Sequence, residues 1–246
     1  RPCPMAGTMK RAERFYRDFT DTARWKSFRV KVDTSDLYIR ADKDLSAVAE
    51  KILRALRDRL WEQIDRQGEF HTALAPVGRL DGSPEIVIMM YNASERAGVG
   101  PMAAVAGAVA ELTGRALAPQ CREIIVENGG DIWMQLEEPA TVTIYPGGHY
   151  FNAVALKIDP RHTPCGVCTS SARIGPSISF GMADAATIIA PDAALADAIA
   201  TDVCNRVKSE DDMEEAAGRG MECGATGVVI IYRDRLVARG EVELTR

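Results

Sequence analysis

Apolar and polar residues alternate through Phe28-Arg29-Val30-Lys31-Val32 and again around Leu37-Tyr38-Ile39, the period of strands with one buried face. The period then lengthens. Leu45, Val48, Ile52, Leu56, Leu60 and Ile64 recur at helical spacing, with Asp44 placed as an N-cap and Gly68 just past the end. Such a stripe needs a sheet or another helix to cover it. Glu85-Ile86-Val87-Ile88-Met89-Met90-Tyr91 is a continuous apolar run and reads as a buried strand. A glycine loop, Gly98-Val99-Gly100, follows, with Pro101 at a first helical position. The helix predicted from Met102 to about Leu117 is rich in small residues: Ala103, Ala104, Ala106, Gly107, Ala108 and Ala110. A surface of that kind lets a neighbouring backbone or a flat ligand approach closely.

In the second half, Glu123–Glu127 and Ile132–Leu136 flank Asn128-Gly129-Gly130-Asp131, a strong hairpin signal. Thr141–Tyr145 reads as a strand ending at Pro146-Gly147-Gly148, and residues 153–158 as extended. Ala183–Ala190 reads as a buried strand, and Ala193–Val207 as a helix. Beyond it Glu210, Asp211, Asp212, Glu214 and Glu215 form an acidic stretch read as a solvated face. A last hairpin joins Gly227–Tyr232 to Leu236–Leu244 through Arg233-Asp234-Arg235. Strands and helices mixed with hairpins predict an α+β fold, with mixed or antiparallel sheets, rather than a regular βαβ winding. No linker separates independent units. The expectation is a single domain over residues 1–246, or two intimately packed halves of about 1–120 and 121–246.

Composition narrows the functional classes. The net charge is −5 and the pI near 5.4, which argues against nucleic acid as the main partner. Three His leave little for a His-rich metal site. No stretch reaches the ~18 apolar residues of a membrane span, and no basic segment followed by an apolar run opens the chain. Six scattered Cys read as reduced thiols, so the expected location is cytoplasmic, and a homo-oligomer is compatible with everything above. Residues 1–31 carry nine basic side chains against three acids. They read as a solvated arm or as a phosphate-attracting rim.

Four segments have the residue types for ligand chemistry. Gly98-Val99-Gly100-Pro101 opens a helix, where free N–H groups suit a phosphate, although a plain turn explains it too. Glu127-Asn128-Gly129-Gly130-Asp131 has acids on both sides of a turn that hairpin chemistry alone accounts for. Cys168-Thr169-Ser170-Ser171 reads as a hydroxyl-rich loop, followed by Gly175, Ser177 and Ser179, able to donate to phosphates or ring carbonyls. Its Cys165-Gly166-Val167-Cys168 is a lone CxxC: a metal site, a redox pair or two buried thiols. Asp197 and Thr201 stand i, i+4 on one helix, and their oxygens suit Mg²⁺, which keeps waters and substrate phosphates in its shell. Local capping is the alternative.

Taken in order, GVGPMAAVAGAVAE, VENGGDIW, CTSSARIG, SFGMADAATIIA and ALADAIAT resemble the ApbE superfamily, the Mg²⁺-dependent FAD:protein FMN transferases, and most closely an uncharacterised branch of it. The resemblance runs from about residue 85 to the C-terminus. It implies an α+β fold with a flavin nucleotide, FAD or FMN, in a central cleft. Mg²⁺ would sit on Asp197 and Thr201, the catalytic pair. Gly100, Gly107, Asn128, Gly129, Gly130, Asp131, Thr169, Ser170 and Ser171 would line the nucleotide. The implied chemistry is transfer of FMN or cleavage at the pyrophosphate. Two positions depart from the transferases: Ala106 stands where they place a Lys before the glycine, and no His follows the Thr169-Ser170-Ser171 segment. Those departures point to an alternative, a non-catalytic small-molecule binding module on the same fold. A third reading is an unrelated enzyme using Cys168 or the acids beside Gly129 and Gly130.

Overall fold

The computed structural model describes residues 24–147, 153–172 and 181–245. The strands are β1 (Lys26–Val32), β2 (Ser35–Ala41), β3 (Ile124–Asn128), β4 (Asp131–Gln135), β5 (Ala140–Ile144), β6 (Val154–Ile158), β7 (Cys165–Ser170), β8 (Ala185–Ala190), β9 (Gly227–Tyr232), β10 (Arg235–Gly240) and β11 (Leu244–Thr245). The α-helices are α1 (Ser46–Arg66), α2 (Gly68–Thr72), α3 (Glu85–Ala97), α4 (Val105–Leu117), α5 (Ala193–Arg206) and α6 (Met213–Glu222).

Eight strands form one antiparallel sheet in the order β1-β2-β3-β4-β7-β8-β9-β10, which draws on both halves of the chain, and β11-β6-β5 form a smaller one. Strand alternation sorts the core into two clusters. Val126, Ile188, Val228 and Ile230 face the helices, packing with residues such as Leu53, Met90, Ala108 and Ile199. Ile125, Ile189, Val229 and Ile231 face the other way, onto Ile144, Leu156 and Ile158 of the small sheet. The large sheet is thus the middle layer of three. That is why β8 and β9 are buried at every position and read in sequence as unbroken apolar runs. The architecture is the expected α+β.

Several predicted elements change type or edge. The run Glu85–Tyr91 is the first half of α3, not a strand. Its buried residues Ile86, Val87, Met90, Tyr91, Ser94 and Ala97 follow helical spacing, and Pro84 stands at its N-cap. Its outward face carries Ile88, 44% exposed, so the apolar run is continuous in sequence although only one side of the helix is buried. The small-residue helix begins with a 3₁₀ turn, Pro101–Ala104, before α4. Gly68 stands just past the end of α1, as expected, and α2 begins there directly. Cys168, Thr169 and Ser170 belong to β7 rather than to a loop, and Ser171 follows it. The acidic stretch forms a 3₁₀ turn, capped reciprocally by Ser209 and Asp212, and then the first turn of α6, whose Met213, Ala216 and Ala217 are buried. The last strand of the final hairpin stops at Gly240.

The N-cap of α1 is Leu45 rather than Asp44, which stands one residue earlier, where its Oδ1 still accepts from Ser46 N–H at 2.8 Å. Of the basic stretch, residues 1–23 lie outside the described residues, as do Gly175, Ser177 and Ser179. Arg24 is bound to Glu123 and to the carbonyls of Glu138 and Pro139, and Arg29 pairs with Asp36. Among the described residues no single helix is long and apolar enough to cross a membrane. α3 and Pro101–Gln120 pass that test only together, bent by 107°.

Candidate carboxylate site at the α4–α5 crossing

α4 and α5 run antiparallel and cap one another. Gly107 N–H donates to Asp197 Oδ2 at 2.9 Å, and Ala193 N–H donates to Glu111 Oε2 at 2.7 Å. Residues four apart on one helix therefore meet residues four apart on the other. Each carboxylate serves the orphan N–H groups of the opposite helix, where the macrodipole favours negative charge. The approach is close enough to exclude a side chain at position 107. A Cβ there would lie 2.1 Å from the Ala193 carbonyl oxygen and 2.9 Å from Asp197 Cβ.

The β3–β4 hairpin brings its turn to the same end of α4. Asn128 and Asp131 face each other across Gly129 and Gly130, both at positive φ (73° and 118°), and Asn128 Nδ2 donates to the Ala106 carbonyl at 3.2 Å. In the sheet Asp131 sits opposite Cys168 on β7. The Cys168 thiol and the Thr169 N–H both bond the Asp131 carboxylate, and Cys168 Sγ also lies 3.4 Å from the Ala193 carbonyl. The neighbouring Thr169 hydroxyl shares a 2.8 Å hydrogen bond with Thr187.

Two acids are thus gathered, Asp197 buried and Asp131 half-buried. Burial pushes the Asp197 carboxyl well above its ordinary range, and the charge of Asp131 pushes it further against the pull of the Gly107 N–H. Burial likewise raises Asp131, with Glu127 adding to the rise and Cys168 and Thr169 opposing it. Like charges held close cannot both ionise cheaply. A proton or a cation relieves the pair.

The fold therefore collects Gly107, Asn128, Gly129, Gly130, Asp131, Thr169 and Asp197 from four distant stretches of chain. Ser170 and Ser171 continue β7 from this point, both buried. Thr201 lies one turn beyond Asp197 on α5, the helix that packs on the 3₁₀ turn preceding α4. Gly100 is not part of this cluster. Its Cβ would strike the Ala73 carbonyl oxygen at 1.8 Å, so the glycine serves the packing of residue 100 on Ala73 and Leu74. Neither described His is here either: His71 is exposed, and His162 pairs with Glu241 at 3.3 Å.

The CxxC resolves into two buried thiols. Cys165 faces the small sheet and Cys168 the helices, three residues apart on one strand and so on opposite faces. Burial pushes Cys165 up to about 12, and burial with the charges of Asp131 and Asp197 pushes Cys168 well up too. A thiol so disfavoured as thiolate is a poor nucleophile and a poor metal ligand.

Sequence reading did not single out Glu111. Its spacing from Gly107 matches that of Ala193 to Asp197, but nothing in the sequence says which two helices cross. Burial lifts Glu111 to about 7, opposed by the Ala193 N–H and reinforced by Asp192.

Comparison with known proteins places this arrangement. A family model described as AbpE bacteria matches residues 17–221. The chain belongs to that family. Its similarity extends to a UPF0280 protein of Methanopyrus kandleri, 39% identical over 87% of this chain and 88% of that one. It also extends to one of Methanocaldococcus jannaschii, 35% identical over 89% and 92%. Among solved structures, the ApbE protein of Thermotoga maritima matches with a TM-score of 0.57 at 12% identity, covering 88% of this chain and 97% of that one. The apo flavinyl transferase ApbE of Pseudomonas stutzeri gives 0.54 at 14%, covering 87% and 93%. This AbpE-family chain therefore has the ApbE-like fold that its motif order implies.

The residues at hand suit a hard divalent cation of the kind that resemblance implies. Asp131 and Asp197 are oxygen donors whose mutual repulsion a cation would cancel. Mg²⁺ needs only one or two protein carboxylates besides water and phosphate. Among the described residues no group of three or more His, Cys, Asp or Glu gathers into a protein-only metal cage.

Proposed function

We propose that this protein binds a flavin nucleotide, or a similar pyrophosphate-bearing ligand, together with Mg²⁺ at the α4–α5 crossing. The observation that carries the reading is the pairing of half-buried Asp131 with buried Asp197, two carboxylates made costly to ionise by desolvation, Asp197 also by the charge of Asp131 and Asp131 by that of Glu127. Asp197 would hold the cation with Thr201, its carboxylate fixed in direction by the Gly107 N–H. The Gly129-Gly130 turn, whose backbone has no side chains to bar approach, would lie along the nucleotide with the hydroxyls of Thr169, Ser170 and Ser171. Bound Mg²⁺ supplies positive charge to a pyrophosphate as a P–O bond breaks. The chain's own residues bind, orient and exclude water.

Two observations favour binding without FMN transfer as the second reading. Ala106 precedes Gly107 where the transferases carry a Lys, and neither His71 nor His162 stands at the cluster. A calorimetric titration with FAD, with and without Mg²⁺, separates the cases. Heat that depends on Mg²⁺ and disappears in D197A supports the site; heat absent under every condition refutes the flavin reading. Release of AMP or FMN on long incubation with Mg²⁺ would establish chemistry at the pyrophosphate. Binding without either product would establish the binding module.

A further inference from the structure

Glu111 is the buried carboxylate of the crossing that the proposed ligand site leaves unused. It is only 5% exposed, and its Oε2 accepts from Ala193 N–H at 2.7 Å, with Ala194 N–H bonding the same carboxylate. Backbone hems Ala193 in on its other sides. A Cβ at Gly107 would lie 2.1 Å from the Ala193 carbonyl oxygen, and one at Gly166 would lie 2.4 Å from its Cα. The first two N–H groups of α5 are thus held across the crossing by one movable side chain, while Asp192 holds Leu195 N–H within the helix. Outside Glu111 lies an open depression of about 470 Å³ whose accessible charge is Arg115. Arg115 Nη1 stands 3.7 Å from Glu111 Oε1, short of a hydrogen bond, and 3.4 Å from the exposed Glu85.

We propose that Glu111 is a two-position clasp on α5: uncharged, it stays on the first turn of the helix; ionised, it swings into the depression to pair with Arg115 and leaves the Ala193 and Ala194 N–H groups to water. The room and the receiving guanidinium are both present, and a single side-chain rotation connects the two positions.

The sign follows from the surroundings. Burial lifts Glu111 to about 7 in the seated position, opposed by the Ala193 and Ala194 N–H groups and by Arg115, and reinforced by Asp192. In the depression the carboxylate regains water and a closer guanidinium, so nothing there resists its charge. Loss of the proton therefore favours the outward position, and α5 loses its cap from α4 as pH rises through 7. The charged groups facing Glu111 are Arg115 on its own helix, Asp192 at the start of α5 and, through Arg115, Glu85 on α3. β4 and the turn at Pro164 present Trp133, Gln135 and Pro164, none of which titrates. Because α5 also carries Asp197 and Thr201, the clasp governs how firmly their helix is seated on α4. It needs no ligand, so it stands or falls apart from the flavin reading.

The test is amide hydrogen exchange on the full chain, read residue by residue by NMR at pH 6, 7 and 8 and corrected for the intrinsic pH dependence of exchange. One proton separates the two positions, so protection of Ala193 N–H should fall about tenfold from pH 6 to pH 8. The amides of Ile188 and Ile230, buried in inner strands of the large sheet, report opening of the whole molecule and should stay better protected than Ala193 throughout. E111Q, uncharged at every pH, should hold Ala193 protection constant over this range. R115Q leaves the cap in place and removes the outward partner. At pH 8 it should protect Ala193, and Gly107 beside Asp197, about threefold better than wild type, the worth of one partly exposed ion pair. The proposal is overturned if Ala193 protection does not fall between pH 6 and pH 8, if Ala193 exchanges no faster than Ile188 and Ile230, if E111Q keeps the wild-type fall, or if R115Q leaves either amide exchanging as in the wild type.

Discussion

Replacing Gly107 by Ala sets two physical effects against each other. Helix propensity alone favours Ala over Gly by about 1 kcal/mol in a helix interior. The crossing geometry opposes it: the new Cβ would stand 2.1 Å from the Ala193 oxygen, 2.6 Å from the Ala193 carbonyl carbon and 2.9 Å from Asp197 Cβ. Two of those atoms are backbone and cannot rotate away, so α5 itself must shift. Overpacking of that kind costs about 1–3 kcal/mol. The shift also stretches the bond from Gly107 N–H to the Asp197 carboxylate, a further ~1.5–3 kcal/mol for a hydrogen bond to a charged group. The sum, less the propensity gain, is a loss of about 2–5 kcal/mol. For a chain of this size that corresponds to a fall in Tm of roughly 4–20 °C. Gly218→Ala on α6 is the matched control. There the Cβ meets only the Nη1 end of Arg239, at 2.8 Å, and a flexible tip can move aside. That variant should melt at or slightly above the wild-type temperature. Thermal melts of both by circular dichroism decide the matter. If G107A melts at or above wild type, or if both variants shift alike, the close crossing is not what requires the glycine.

Glu111 makes stability depend on pH. The folded state keeps a proton that the unfolded chain releases between about pH 4.5 and about 7, so stability falls as pH rises through that window and levels off above it. E111Q should flatten this slope by something on the order of 3 kcal/mol in denaturant titrations, and an unchanged slope would refute the assignment. Glu123 works in the opposite sense. Burial resists its ionisation, but Arg24 and the N–H groups of Glu137 and Glu138 bring it down to about 2. Its contribution is present above about pH 4.5 and lost as pH falls toward 2, and E123Q should cost roughly 2 kcal/mol at pH 7 while leaving the protein less sensitive to acid. For the thiols, Cys121 is the one described cysteine that is not fully buried. Among the described cysteines it should react first with a thiol reagent, while Cys165, Cys168 and Cys204 stay silent until denaturant is added. Early labelling of Cys168 would contradict its buried position.

Much of the fold is written in local pattern. The alternation in β1 and β2, the apolar stripe of α1 and the Asn128–Asp131 turn each follow from residues that are neighbours in sequence, because period and turn chemistry are local properties. The order of the small-residue helix, the glycine turn, the Thr-Ser-Ser segment and the Asp197 helix was enough to imply the ApbE-like fold. α3 reads as a strand because apolar Ile88 stands on its exposed face and fills in the gap that a polar residue would have marked. Its helical spacing at Ile86, Val87, Met90, Tyr91 and Ala97 is visible, but its length, decided by where the chain turns at Gly98, was the better guide.

Long-range pairing lay beyond the sequence. That Asp197 meets Gly107 and Glu111 meets Ala193 depends on which helices cross and in what register, and no local preference encodes either. The same holds for Asp131 against Cys168, which exists only because β4 and β7 pair across an intervening excursion through β5 and β6. The two cysteines of the CxxC part to opposite faces because β7 is a strand rather than a loop. Sequence determined the elements and the residue types able to hold an anionic ligand. Tertiary structure decided which carboxylates come together, and desolvation and repulsion act only where the fold has brought charges near one another and away from water.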